Sequence, residues 1–531
     1  MQLNFLTTDL QAQRSGIEHA MLRRLRLLQA HHCHCRIISV AFNLSLHAIM
    51  QAEHLQEHDF LNLYDFFGGN GTQKFSALTP EYVSQLCQAG GYQFKMKTQQ
   101  QGYVTDHQEI LAWLFFTNGL LEQADIYNAD NQIIKSERYD TRGWKASETL
   151  YDPSMQSVII CERYFNYQGQ SFLENYYRMH HGHNQLTKIH LVWQNEQFEF
   201  LRQNDFWRFF LDCVIYTSHE PQVMVVDRKE LMEATLHTHL PVAKYLYLHS
   251  DHVNSHQDTI YGNQAVVGSL NPNYEYGLNN LEQWDGVIMS TTEQAKVFQQ
   301  RYHDLVPTYV IPVGYVTPAV MQAPQVKWDA RQKHHIICVA RLDRSKQQDQ
   351  LIKAFAQVVQ QVPDASLDLW GFDYDMQPQL AKLITKLNLQ AKVHLCGYRQ
   401  DLTSVYNQAQ LSVLASSNEG FALSLLESIA HGVPVVAYHV PYLFGANAIV
   451  KHGVDGYLVP ADDIDALVQQ IVAVLTNPQL ATTLSQNAYQ RAQLFTADKV
   501  WQQWQAWYRD AQARVADMQL PPHYVPAKYY G

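Results

Sequence analysis

At 531 residues the chain carries sequence for roughly three to four domains, and its 46% hydrophobic and 17% charged content is that of an ordinary soluble globular protein. A net charge of −11 excludes a general nucleic-acid binder, which needs a basic excess. No apolar run approaches the roughly 18 residues needed to cross a bilayer, and seven scattered cysteines give no disulfide framework and suit a reducing cytoplasm.

The opening stretch Gln2–Thr7 reads as a first strand and lacks the basic flank of a signal peptide. Arg14-Ser15-Gly16 then turns into a predicted helix, Ser15–Gln29, with Ile17, Ala20, Met21, Leu25 and Leu28 on one side. Arg23, Arg24 and Arg26 on this helix form a basic stripe, either a solvated face or a surface that steers a polyphosphate polymer. His31-His32-Cys33-His34-Cys35 has metal-ligand residue types, but they are adjacent and lack a second half. The run reads better as a polar connection entering the strand Arg36–Phe42. A parallel βαβ start with a glycine at the turn predicts an open α/β domain, whose ligands sit beyond the carboxyl ends of the strands.

The pattern breaks near Asp65. From about Gly102 to Phe200, short apolar or alternating runs are separated by polar turns. Ala124–Tyr127 faces Ile133–Glu137, Ser157–Phe165 faces Phe172–Tyr177, and Ile189–Trp193 faces Gln197–Leu201. Hairpin after hairpin predicts a β-meander inserted in the first α/β domain. That domain resumes with Val223–Asp227 and Lys244–Ser250, where His249 ends a strand on the side that faces a ligand crevice.

A second α/β unit starts near Ile336–Ala340 and continues through Ala365–Trp370, Lys392–Leu395, Leu411–Ala415 and Pro434–Tyr438. An aromatic helix, Val500–Tyr508, is expected to pack back near the domain junction, and the Pro-rich tail after Leu520 to be loose. The predicted domains are 1–65 with 201–320, the meander 66–200, the second unit 321–500, and a helix and tail over 501–531.

The run from Glu419 to Glu427 follows the strand Leu411–Ala415 and leads into an apolar helix that ends at His431-Gly432. A strand, a small-residue turn and a helix start make an anion socket, because the free N–H groups of the first turn point at the ligand. Glu419 beside that socket suits neutral hydroxyls, and Glu427 two turns on suits a second set. Hydroxyl, diphosphate, hydroxyl is the layout of a nucleotide sugar. Arg341 and Lys346 follow the strand Ile336–Ala340 and supply the fixed positive charge that a departing diphosphate needs. Asp373-Tyr374-Asp375 and Asp463-Ile464-Asp465 both spell D-x-D, but read as a polar loop and a helix cap, so no metal is assigned.

These residues resemble the R-x4-K and E-x7-E signatures of retaining glycosyltransferases of family 4. Arg14–Ala20 looks like that family's glycine loop. Asn62–Phe67 and the strand-rich stretch after it resemble a narrower branch, which contains poly(glycerol-phosphate) and poly(ribitol-phosphate) α-glycosyltransferases and accessory-secretion Ser/Thr glycosyltransferases. The resemblance implies the GT-B fold, α/β with two Rossmann-like domains facing a cleft, and a UDP-sugar donor with no cofactor or metal. It implies that Arg341, Lys346, Glu419 and His249 are catalytic, with Glu419 on the transferred sugar and Glu427 on the ribose. The amides of Phe421, Ala422 and Leu423 would line the sugar and phosphate site. Ala422 stands where the family usually has glycine. Gly16 would let backbone approach a phosphate, and Tyr398 after Gly397 would flank the nucleobase.

The expected reaction moves glucose or N-acetylglucosamine to hydroxyls of a teichoic acid polymer. The competing acceptor is a Ser/Thr-rich surface protein glycosylated with the help of a non-catalytic partner, and a third reading makes the chain that partner subunit. The meander would then mediate homo- or hetero-oligomers. The expected location is the cytoplasm, including the inner face of the membrane.

Overall fold

Runs of Val, Ile and Leu without polar alternation form parallel strands buried on both faces. The computed structural model describes residues 1–71, 73–107, 109–155, 158–218, 220–253, 268–439 and 444–520. The tail after Leu520, and Ser157 at the head of one predicted strand, lie outside these residues. The chain divides into two compact units, one of Met1–Ala12, His34–Val242 and the segment from Val515, the other of Gln13–Cys33 and Ala243–Arg514.

In the first unit, four parallel strands lie in the order Gln222–Val226, Gln2–Thr7, Cys35–Ser39, Phe60–Asn62. Asn62 then caps a short helix, Leu63–Gly68, its side-chain oxygen accepting from the Tyr64 N–H at 2.9 Å. The insertion is a ten-stranded antiparallel meander from Gln93–Met96 to Glu196–Phe200, with its neighbours in chain order. The predicted hairpins form. Tyr127 pairs with Ile133, Tyr164 with Leu173 and Val192 with Gln197. A helix at Pro80–Ala89, capped by Thr79 with proline at its start, precedes the meander. An aromatic cluster underlies its last strands, where the Phe67 ring lies 5.6 Å from those of Phe206 and Trp193.

The second unit has two parallel sheets. One runs Ala243–Leu248, Gly286–Met289, Thr308–Val310. The other has six strands in the order Val393–Gly397, Ser366–Trp370, His335–Val339, Leu411–Leu414, Val435–His439, Gly456–Pro460. Its core is built from fully buried residues such as Leu351, Phe355, Leu367, Val413 and Ile471. The aromatic helix is longer than predicted, Ala497–Val515, and buries Trp504 and Trp507. His31 stacks on Trp501 with ring centroids 4.0 Å apart, a packing role for a residue of the His/Cys run. Among the described residues, no helix is long and apolar enough to cross a membrane.

Candidate active site

The six-stranded sheet starts at His335–Val339 in its middle, grows outward to one side, and resumes on the other side with Leu411–Leu414. Between these two strands the order reverses, the switch point at which open α/β sheets bind their ligands. Arg341 and Lys346 follow the first strand and Glu419 the second, so the two local motifs meet at one switch point.

Lys346 closes that meeting. Its ammonium donates to Glu419 Oε1 at 2.8 Å and to the Asn418 carbonyl at 3.2 Å. Ser416 Oγ adds a 2.8 Å bond to the same carboxylate oxygen. The two loops are also sewn along the backbone, the Ser417 N–H donating to the Ser345 carbonyl at 2.8 Å. Arg341 pairs with Asp343 at 3.0 Å and lies 5.7 Å from the centre of the Tyr374 ring.

The helix Leu423–Ala430 begins directly after Ala422, which has the left-handed backbone φ 56°, ψ 62°. This is the conformation that glycine adopts without cost and that alanine adopts at roughly 1–2 kcal/mol. The departure from the family pattern noted in the sequence thus falls on a position whose geometry favours glycine. Two glycines crowd the preceding turn. A Cβ on Gly420 would stand 1.9 Å from the His249 carbonyl oxygen, and one on Gly445 would stand 2.8 Å from the Phe421 nitrogen. The His249–Ser250 backbone therefore lies against the turn, and the Tyr274 hydroxyl accepts the N–H groups of both residues, at 2.9 and 3.0 Å. The His249 ring stacks on Tyr247 at 4.5 Å.

Glu427 lies one turn into the helix with both oxygens engaged. Arg23 pairs with Oε1, and the Tyr406 hydroxyl donates to Oε2 at 2.9 Å. Burial alone would push this carboxyl up, yet the Arg23 guanidinium and the Tyr406 bond hold it below the usual carboxylate range. This corrects the expected basic stripe. Arg24 lies about 100° around the helix from Arg23, so the three cannot share one face, although Arg23 and Arg26, at i and i+3, are neighbours. Arg23 turns inward to Glu427, and Arg24 is buried beside the Tyr247 and Trp504 rings at 5.4 and 5.8 Å. Arg26 alone of the three is exposed.

The remaining candidates sit as follows. Gly16 opens the helix Gly16–Ala30 after a Ser15–Glu18 capping box, and a Cβ there would meet nothing within 4 Å. Tyr398 follows Gly397 as expected, its ring 6.2 Å from Phe372. Asp373 accepts the Met376 and Gln377 N–H groups in the loop that enters a helix, and Asp463 caps another by accepting that of Ala466. Sequence reasoning missed Arg23 as a partner of Glu427, as well as Tyr406, Ser416, Tyr274 and Asp251. Asp251 is fully buried two residues after His249, and neither of its carboxylate oxygens has a hydrogen-bond partner among the described residues. Burial, with Glu419 nearby, pushes its carboxyl well above the usual range. One signal was readable: His19 and Arg23, at i and i+4, share a helix face.

Comparison with known proteins bears on this geometry. Residues 324–491 match the family model "Glycosyl transferases group 1", which spans both motifs. The poly(glycerol-phosphate) alpha-glucosyltransferase of Bacillus subtilis is 23% identical over 522 residues, covering 95% of this chain and 74% of that one. The pneumococcal O-GlcNAc transferase GtfA, solved with UDP and GlcNAc, superposes with a TM-score of 0.81 at 18% identity, over 96% of this chain and 99% of its own. A variant of S. aureus TarM, solved with fondaparinux, alpha-GlcNAc-glycerol and UDP, superposes at 0.77 and 16% identity, over 95% of this chain and 99% of its own.

Proposed function

As a glycosyltransferase of the GT-B fold with a group 1 domain, this chain, we propose, moves glucose or N-acetylglucosamine from a UDP-sugar to hydroxyls of a teichoic acid polymer, with retention of the anomeric configuration. The observation that carries the polymer reading is the likeness to the Bacillus poly(glycerol-phosphate) enzyme across 95% of the chain, meander included.

In the proposed mechanism the diphosphate sits at the tip of the helix Leu423–Ala430. Arg341 and Lys346 stabilise the charge that builds on it as the glycosidic bond breaks. The amides of Phe421, Ala422 and Leu423 line the sugar and phosphate, Glu419 takes hydroxyls of the transferred sugar, and Glu427 takes those of the ribose. The 2.8 Å bond between Lys346 and Glu419 supports their acting on adjoining parts of one donor. The His249 backbone lies against Gly420 of that turn, which supports a place for this residue beside the sugar. The acceptor hydroxyl attacks from the face the leaving group vacates, and a phosphate oxygen takes its proton. No metal takes part, because the two cations and the helix tip carry the charge.

A second reading, transfer of N-acetylglucosamine to Ser/Thr residues of a protein with a partner subunit, is favoured by the superposition on the pneumococcal O-GlcNAc transferase. One experiment separates the two. UDP-glucose and UDP-N-acetylglucosamine are each offered with poly(glycerol-phosphate), poly(ribitol-phosphate) and a serine-rich peptide, in the presence of EDTA. Transfer to a polymer with an α-linked product is expected. Transfer to peptide alone replaces the polymer reading, and a β-linked product overturns the retaining mechanism.

A further inference from the structure

We infer that Arg23 is a positioning residue of the donor site, acting through Glu427 and not on the acceptor; this rests on the reading that Glu427 binds the donor's ribose. Glu427 is partly buried, its side chain 28% exposed, and a carboxylate so desolvated is drawn toward its protonated form unless a cation compensates. The groups that face it are His19 and Arg23 from the helix Gly16–Ala30, Tyr406 from the helix Thr403–Gln408, and His431 beyond the end of its own helix. Tyr406 donates a hydrogen bond but carries no positive charge. Burial lowers both His19 and His431 below the usual histidine range, so neither is a cation at neutral pH. Arg23 is left to keep Glu427 ionised.

The geometry suits that task. Arg23 reaches Oε1 and Tyr406 reaches Oε2, so the two partners fix the plane of the carboxylate from opposite ends. The Arg23 backbone carbonyl accepts a bond from the Tyr315 hydroxyl at 3.3 Å. Gly314 keeps the space clear. A Cβ there would stand 2.2 Å from the Leu423 side chain and 3.6 Å from the Arg23 guanidinium. An ionised carboxylate has only acceptor sites, and those not used by Arg23 and Tyr406 are available to a diol. Protonated, it loses one of them and competes with the diol as a donor.

The test measures UDP binding by calorimetry between pH 5 and 8 for the full chain and its R23Q, R23K, E427Q and R23Q/E427Q variants, with circular dichroism to confirm folding. In the parent protein Glu427 stays ionised over this range, so affinity carries no Glu427-dependent fall. In R23Q the carboxyl rises above its ordinary value, and affinity falls as the pH drops through it. The expected loss at pH 6 is up to about tenfold, as for truncating one partner of a partly buried, charge-assisted hydrogen-bonded pair. R23K restores the flat profile, which a purely structural role for the guanidinium would not require. In the E427Q background, R23Q costs nothing further. Equal and additive losses from R23Q and E427Q would mean that Arg23 touches the diphosphate directly and would overturn the inference while leaving the donor reading intact. No UDP binding by the folded parent protein would overturn the donor reading and this inference together.

Discussion

The six-stranded sheet and the ten-stranded meander solve opposite problems with charge. In the former, strands such as His335–Val339 and Leu411–Leu414 are buried nearly end to end, so ionisable groups gather beyond their carboxyl ends. In the latter, strands are half-exposed, and charges lie across the sheet in cross-strand rows. There Lys145 bonds Glu137 at 3.4 Å, and Arg163 bonds Glu148 at 3.3 Å and Glu174 at 3.0 Å. Both regions are rich in ion pairs, but they differ in what an ion pair is worth. The meander pairs lie along partly exposed strands, whereas Lys346 and Glu419 join two loops at the switch point.

The largest difference should appear in the cores. Phe355, fully buried on the helix Gln348–Gln361, contacts the closely packed interior of the six-stranded unit. Phe355→Ala should cost about 3–5 kcal/mol of stability in urea unfolding. Ile133, 38% exposed on the meander, should lose less than about 0.5 kcal/mol when changed to alanine. Equal costs would mean that the meander is held by its apolar contacts as much as by its pairing. Next in size is chemistry. Arg341→Ala or Lys346→Ala should lower kcat for sugar transfer by about 10²–10³, or roughly 2.7–4 kcal/mol of barrier, with little change in thermal midpoint. Arg163→Ala, equally a lost cation, should leave kcat unchanged.

A third contrast concerns Asp251, a carboxyl buried without a hydrogen-bond partner among the described residues, unlike the paired acids of the meander. Its folded value lies well above its unfolded value near 3.8, so folding binds a proton. Stability is then greatest below that unfolded value and falls as pH rises toward the folded one. Asp251→Asn removes the dependence. The variant should match the parent near pH 3.5 and exceed it by about 1–2 kcal/mol at pH 8, roughly the relief of one desolvated charge. A parent whose thermal midpoint is flat relative to the variant across that range would show that Asp251 is solvated or paired.

Much of this was legible in the sequence, for physical reasons that differ by element. The parallel strands announced themselves because burial on both faces demands unbroken apolar runs, and the hairpins because each turn concentrates Asn, Gly and Gln. The edge strand Gln93–Met96 was missed because its alternation of Gln, Phe, Lys and Met is only four residues long and mostly exposed. Within the site, R-x4-K and E-x7-E are local and could be read directly. The pairing of Arg23 with Glu427 spans 404 positions and depends on which face of a helix turns inward. Three arginines close in sequence suggested one stripe, but Arg24 points away from the other two, and of Arg23 and Arg26 only Arg26 stays exposed while Arg23 pairs with Glu427.

The smallest expected effect is the most exacting test of the comparison. Arg163 is 38% exposed and shared between Glu148 and Glu174, the kind of surface pair that water and salt weaken. A double-mutant cycle on Arg163 and Glu174 should give a coupling of about 0.2–1 kcal/mol, shrinking further in 1 M salt. The two residues sit directly opposite on neighbouring antiparallel strands, so the energy acts where register is chosen. If the meander charges serve register, replacing Arg163 with leucine should leave stability within about 0.5 kcal/mol, yet placing glutamate there should cost more, because it sets like charges against both neighbours. A coupling several times larger would mean that the pair is desolvated, and the contrast between the two sheets would then be one of degree.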